Sequence, residues 1–271
     1  MLAVNPIKPV HGRNLSAAWA KAFVKCWNAS GNVLAPEIVC FDVDEENRSW
    51  ELETASIRCS LEEQLVTFGI CSANQSNIET VAGTIFPESI WKRCHGDREK
   101  LFSEYDEMWP QIQKCGRNHR GTYFRRLTAY GKPTEEKKVN QLQEILNKWE
   151  NGNRCHSAMQ AGIFDPFQDH VKSRIPGFPC LQQVVFHTHG VNGTDGISVV
   201  AFYANQLLLD KAYGNYLGLF RLGRFMAGEM RLKLRGITCV ASNLKLSDRS
   251  GKKRDCRILC KALDRELADA I

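Results

Sequence analysis

The chain has 271 residues, 43% hydrophobic and 24% charged, with 36 Lys and Arg against 30 Asp and Glu for a net charge of +6. This is the balance of an ordinary globular protein large enough to bury a sizeable core, so one domain spanning residues 1–271 is the expectation. The basic excess is spread out apart from Arg117 to Arg126 and Lys252-Lys253-Arg254, which gives a mild preference for anionic ligands and does not require nucleic acid. Eleven cysteines, odd in number and irregular in spacing, read as reduced thiols of a cytoplasmic protein rather than as a disulfide framework. No run of about 18 apolar residues occurs, and Met1 to Pro6 lacks the pattern of a secretory leader, so neither membrane insertion nor secretion is expected.

In chain order, Asn14 precedes Leu15, Trp19, Ala22, Phe23, Cys26 and Trp27 at helical spacing, and Ser30-Gly31 supplies the stop. Glu37 to Val43 and Ser49 to Ser56 alternate as strands do, and Ser60-Leu61-Glu62-Glu63 has the form of a capping box opening a second helix. Gly121 to Leu127 reads as a glycine-led strand, followed by a polar stretch from Gly131 to Lys138. Leu142, Ile145, Leu146 and Trp149 then line one face of a clear helix that stops at Asn151-Gly152. Two strands follow, around Gln182 to Phe186 and Ile197 to Tyr203. After them comes a helix from Tyr216 to Met230 that is apolar on nearly every side and therefore belongs inside. The tail reads as a surface helix carrying Ile258, Leu259, Leu263 and Leu267.

Cys180, in Gly177-Phe178-Pro179-Cys180-Leu181-Gln182-Gln183, sits on a proline-led turn that opens an apolar strand. A thiolate there is placed to act as a nucleophile, provided that neighbouring donors or cations favour the charged form. The bland alternative is a small buried hydrophobe. The close pairs His187-Thr188-His189 and Cys256-Arg257-Ile258-Leu259-Cys260 belong to no four-ligand pattern, so no metal is expected. A thiol hydrolase needs a base, and His187 is the candidate close in sequence, at a strand separation that points it to the opposite face. P-loop, GxGxxG and GxSxG motifs are missing, which removes nucleotide hydrolysis, Rossmann cofactors and serine hydrolysis.

Taken together, Gly121 to Tyr123, Asn140-Gln141-Leu142, Gly152-Asn153-Arg154, Pro179-Cys180 and Asn215 with Ala227 resemble the thymidylate synthase and pyrimidine hydroxymethylase family over roughly residues 115 to 245. The resemblance implies an α+β fold with one curved mixed sheet, covered by helices on one face and packed against the same sheet of a second subunit on the other. Val185, Val199 and Ala201 would serve that homodimer face. It further implies Cys180 as the nucleophile, Tyr123 as a second catalytic residue placed before the dimer-facing helix, Asn215 reading the pyrimidine, and Arg154 reaching across the dimer. The implied reaction delivers a methyl or hydroxymethyl unit from 5,10-methylenetetrahydrofolate to C5 of a pyrimidine nucleoside, nucleotide or base. Asn215 can donate and accept at once, which suits the N3–H and O4 edge of a uracil-type ring, although an Asn opening a helix also serves as its N-cap.

Departures from the family pattern matter as much. The arginine expected within Tyr-Gln-Arg-Ser is replaced in Phe202-Tyr203-Ala204-Asn205, and the paired arginines become Arg154-Cys155. The aspartate that follows falls at Leu207, and the sugar-holding His and Tyr align with Cys239 and Ala241. Each lost arginine–phosphate contact removes about 1.5–3 kcal/mol, so ordinary deoxyuridine monophosphate is not the expected substrate. Tyr203, Asn205, Gln183 and Gln206 are expected to shape the altered subsite, with Arg125, Arg126 or Lys211 as substitute phosphate ligands. Glu62 or Glu63 is the nearest match to the folate-side glutamate. The competing class is a catalytically inactive, thymidylate synthase-like dimer that binds or regulates.

Overall fold

A computed structural model of the chain describes residues 8–71, 77–115, 118, 121–131, 138–170, 179–247 and 253–268. Gly177 and Phe178, and the polar stretch at 132–137, lie outside the described residues. In chain order the elements begin with β1 (Val10–Gly12), α1 (Leu15–Asn28), β2 (Val33–Leu34), β3 (Glu37–Asp42), α2 (Ala55–Thr67) and α3 (Asn77–Ile85). They continue with α4 (Glu88–Arg93), α5 (Arg98–Gln113), α6 (Tyr123–Thr128), α7 (Gln141–Glu150), β4 (Gln160–Gly162), α8 (Pro166–Asp169) and β5 (Leu181–His189). The last are β6 (Gly196–Tyr203), β7 (Gln206–Leu207), α9 (Tyr213–Glu229), β8 (Leu234–Ala241), β9 (Leu244–Lys245) and α10 (Lys253–Ala268).

Several helix starts follow from a side-chain oxygen at the cap. Asn14 accepts from Ala17 N at 2.9 Å, Thr122 from Arg125 N at 3.1 Å and Asn140 from Gln143 N at 3.0 Å. Each such cap stabilises its helix by about 1 kcal/mol. The cap on Thr122 overturns the strand expected over Gly121 to Leu127. The β-branched and aromatic residues there resemble a strand, but the helix α6 buries Phe124 and Leu127, three apart, on one face.

Two further expectations are corrected by tertiary pairing. The segment Ser49 to Ser56 is not a strand, because its carbonyls serve the start of α1: Leu15 N donates to Leu52 O at 3.1 Å and Asn14 Nδ2 to Glu51 O at 2.9 Å. Ser60 opens no helix; it lies inside α2, whose cap position is Thr54. In α10, Leu259 and Leu263 are buried while Ile258 is 64% exposed, so Ile258 belongs to the outer face of that helix.

The principal sheet has the order β1-β3-β8-β6-β5-β4 and is mixed: β1 with β3 and β6 with β8 are parallel, the other neighbours antiparallel. A small sheet, β2-β9-β7, is built from segments that flank the central strands β3, β8 and β6 in the chain. The inner face of the principal sheet carries Val39, Phe41, Val184, Phe186, Val199, Ala201, Ile237 and Cys239, all buried. Against it lies α9, whose residues are buried nearly all round, as an apolar helix between two layers must be. On its other side α9 crosses α3 so closely that a Cβ on Gly218 would lie 2.8 Å from the Ala82 carbonyl. Glycine there is a packing requirement. Each large apolar side chain so buried contributes about 1.5–3 kcal/mol.

The outer face of the sheet differs. Ile38, Cys40, Val185, Val200, Thr238 and Val240 are half-buried and Phe202 is 41% exposed. Val199 and Ala201, expected on this face, are 0% exposed and point the other way; Val200 and Phe202 take their place, because strand alternation puts successive side chains on opposite faces. Among the described residues no helix is long and apolar enough to cross a membrane.

Candidate functional site

Cys180 stands one residue before β5 and is partly buried against the core. Two interactions place it. Its carbonyl accepts from Ala204 N at 3.0 Å, tying it to the residue that follows β6, and Leu181 pairs with Tyr203 across the two strands. From the other side comes Tyr123 on α6, whose hydroxyl faces the backbone N–H groups of Leu181 and Cys180. Burial and the adjacent Cys180 sulfur push the Tyr123 hydroxyl well above the ordinary tyrosine range, so it is a neutral hydrogen-bonding group at pH 7. The two residues expected to be catalytic are therefore together.

The scaffold beneath them is tightly pinned. Arg126 of α6 makes a two-pronged ion pair with the buried Asp169, at 2.6 and 2.7 Å, and donates to Ile163 O at 3.0 Å. Ile163 N in turn donates to Gln182 O at 2.8 Å. Gln141 at the start of α7 donates to both Arg126 O and Gly162 O and accepts from Gly162 N. These bonds join α6, α7, β4 and the first turn of β5 into one frame around the Cys180 backbone.

Tyr203 is completely buried, and the groups whose charge its hydroxyl feels are Cys239, Tyr123, Tyr216 and Cys180. Burial raises its pKa far above the ordinary value. Next to it, Tyr216 of α9 donates to Gln206 Oε1 at 3.2 Å. Two polar atoms of this cluster, Tyr203 Oη and Gln206 Nε2, are buried without a hydrogen-bond partner among the described residues. An unsatisfied buried polar group costs a fold about 1–3 kcal/mol, so such pairs call for an explanation.

Asn215 is buried, at 4% exposure, in the first turn of α9. It is not the helix cap, which is Ala212; a π-turn over Leu208–Ala212 precedes it. That turn is held by Trp19 Nε1 on Leu208 O at 2.9 Å and Asn77 Nδ2 on Asp210 O at 2.7 Å. Tyr213 faces α1, bonding Ser16 Oγ at 2.7 Å, so Asn215, about 200° further round the helix, faces away from α1.

The other expected ligand residues do not join this cluster. Gln183 turns to the outer face of the sheet and is engaged by the side chain of Gln160. Asn205 accepts from Asn243 Nδ2 at 2.7 Å in the turn beside β9. Arg154 lies with its guanidinium 3.5 Å from the Trp149 ring centre and donates to Trp149 O. Since Trp149 Nε1 bonds Met230 O, the cap of the far end of α9, Arg154 sits at the end of that helix opposite Asn215.

Two of the three substitute phosphate ligands are held by carboxylates. Arg125 pairs with Asp106 and stacks on Trp109, Arg126 is held by Asp169, and Lys211 is exposed in the π-turn. Glu62 pairs with Arg58 on α2 and Glu63 is exposed on the same helix.

One residue that sequence reasoning passed over belongs to the site region. Glu37 is 2% exposed and lies in the cross-strand row Glu37, Ala241, Tyr203, Leu181. Its carboxylate is met by Lys25 Nζ at 2.5 Å, and it contributes, after burial, to holding the Cys26 thiol up at about 12. The signal was legible: Glu37 shares the strand phase of Val39 and Phe41, the buried one. No known protein-family profile matches the chain, and no curated protein matches it.

Proposed function

We propose that the protein is a thymidylate synthase-like transferase in which the Cys180 thiolate adds to C6 of a pyrimidine. The sulfur–C6 bond forms as the C5–C6 π electrons move toward the C4 carbonyl, leaving C5 able to attack a one-carbon electrophile. Loss of the C5 proton and expulsion of the thiolate then restore the ring. The observation that carries this reading is the convergence of Cys180, Tyr123 and Tyr203 at one end of the inner sheet face. Tyr123 serves as a neutral donor or acceptor beside the reacting sulfur, and Asn215 is proposed to read the N3–H and O4 edge.

Methylenetetrahydrofolate, when bound, supplies the electrophilic one-carbon unit. Glu62 and Glu63 do not fit the role of its glutamate partner, because both lie on α2 with Glu62 committed to Arg58. The proposed chemistry of this chain's own residues is the thiol addition and the positioning of the ring.

The same reading includes a homodimer formed by the outer sheet face, supported by the row of half-buried Ile38, Val185, Val200, Val240 and the exposed Phe202. A second reading, an inactive binding dimer on the same fold, is favoured by the engagement of Arg125 and Arg126 with carboxylates. Intact mass after incubation with 5-fluorinated pyrimidine bases, nucleosides and nucleotides plus methylenetetrahydrofolate separates the two. A stable adduct that disappears in Cys180→Ser supports the transferase; no adduct across the panel supports the binding dimer.

A further inference from the structure

Tyr203 Oη and Gln206 Nε2 are polar atoms that the fold buries and leaves without partners, at residue exposures of 0% and 2%. Apolar side chains of similar size would serve packing better, since nothing among the described residues satisfies these two atoms. Tyr203 lies near the thiol, and Gln206 is joined to the same cluster through Tyr216. Tyr203 pairs with Leu181, the neighbour of Cys180, and its ring lies next to the small Ala241 across β8. Gln206 is fixed from both ends: its N–H donates to Asn243 O at 2.9 Å and its Oε1 accepts from Tyr216 at 3.2 Å. That leaves the Nε2 hydrogens for another acceptor.

The charge of the groups around Tyr203 decides what they can recognise. The groups whose charge its hydroxyl feels are thiols and hydroxyls: Cys239, Tyr123, Tyr216 and Cys180. The carboxylate of Glu37, further along the same row, is already met by Lys25. Neutral groups of this kind suit a ring carbonyl, which would gain hydrogen bonding that these atoms now lack, better than a phosphate, which calls for cations.

Resting on the reading of Cys180 as a pyrimidine-binding thiol, we infer that Tyr203 and Gln206 are specificity residues that bind a carbonyl of an uncharged pyrimidine base or nucleoside and select against its phosphorylated form.

The test is titration calorimetry of the full chain with uracil, 2′-deoxyuridine and deoxyuridine monophosphate, for the wild type, Tyr203→Phe and Gln206→Leu, together with the melting temperature of each unliganded protein. The expected result is tighter wild-type binding of a neutral probe than of the monophosphate, and a loss of about tenfold or more in each variant. Both variants should melt at or above the wild-type temperature, because each removes an unsatisfied buried group. Variants that bind like the wild type, variants that melt several degrees lower, preference for the monophosphate, or a wild type that binds none of the probes would each overturn the inference. The reaction is judged separately by the Cys180 adduct. An adduct that forms equally in Gln206→Leu keeps the reaction and removes this inference; weakened binding in the variants with no adduct in any protein keeps the inference and removes the reaction.

Discussion

The Cys180 carbonyl accepts the Ala204 N–H at 3.0 Å, so the residue proposed to attack is bonded to the one that stands where the resembling family carries its phosphate arginine. On the proposed reading, a methyl group stands where a phosphate ligand is needed. This juxtaposition is the physical basis for expecting a substrate other than an ordinary nucleotide.

Tyr123→Phe is expected to leave the fold in place and slow adduct formation at Cys180. The hydroxyl faces the N–H groups of Cys180 and Leu181, and its removal should cost about 1 kcal/mol of stability. Time-resolved intact mass with a 5-fluorinated pyrimidine, beside urea unfolding, checks both; an adduct rate equal to the wild type excludes a role for the hydroxyl.

Asp169→Asn should be among the most damaging single changes in the molecule. It leaves Arg126 without its two-pronged partner where Asp169 is 1% exposed, and breaking such a pair costs about 3–5 kcal/mol. Urea denaturation followed by tryptophan fluorescence measures it, and a loss below 1 kcal/mol would show that the frame around Cys180 does not depend on this pair.

Val200→Asp and Phe202→Asp place a carboxylate in the middle of the outer sheet face. Both should convert a dimer to a monomer with the fold retained, because an unpaired charge at a buried interface is strongly unfavourable. Light scattering coupled to size exclusion at micromolar concentration decides; a wild-type monomer under those conditions rejects the sheet-to-sheet dimer.

His189 gives the protein an acid-sensitive point. Burial, His187 and Arg235 lower its pKa against the opposing pull of Asp195, and its Nε2 bonds Ser198 Oγ at 2.7 Å; His156 stacks on His187 from the adjoining turn. A lowered folded-state pKa means that the unfolded chain takes up the proton first. The contribution is complete above the unfolded value of about 6.5 and is lost as pH falls through the folded one. Denaturation midpoints at pH 7.5 and 5 should therefore differ more in the wild type than in His189→Gln, and equal differences would contradict this assignment.

Gly218→Ala should destabilise by about 1–3 kcal/mol despite alanine's better helix propensity, since α3 must move away from α9 to admit the methyl group. Thermal unfolding reads this directly, and an unchanged or raised midpoint would mean that the α3–α9 crossing yields.

Much of the architecture could be read from residues alone. The caps at Asn14 and Asn140, the alternation of β5 and β6 and the all-round apolar α9 are local signals, carried by patterns whose period matches the element they form. That Tyr123 of α6 stands beside Cys180 is a tertiary fact, set by the packing of that helix against the start of β5. The misread segments, Ser49 to Ser56, Ser60 and Gly121 to Leu127, are short stretches in which propensity is weak and partners distant in sequence set the outcome. The face of Val185 against that of Val199, the turning of Gln183 to the outer face and the place of Glu37 in the row of Tyr203 depend on pleat phase and strand register, and the commitment of Arg125 and Arg126 to carboxylates depends on how the helices pack. Local sequence thus determined which elements form and which thiol opens a strand. Which buried polar side chains lack a partner among the described residues was decided only by packing, because hydrogen-bond satisfaction is a property of neighbours brought together across the sheet.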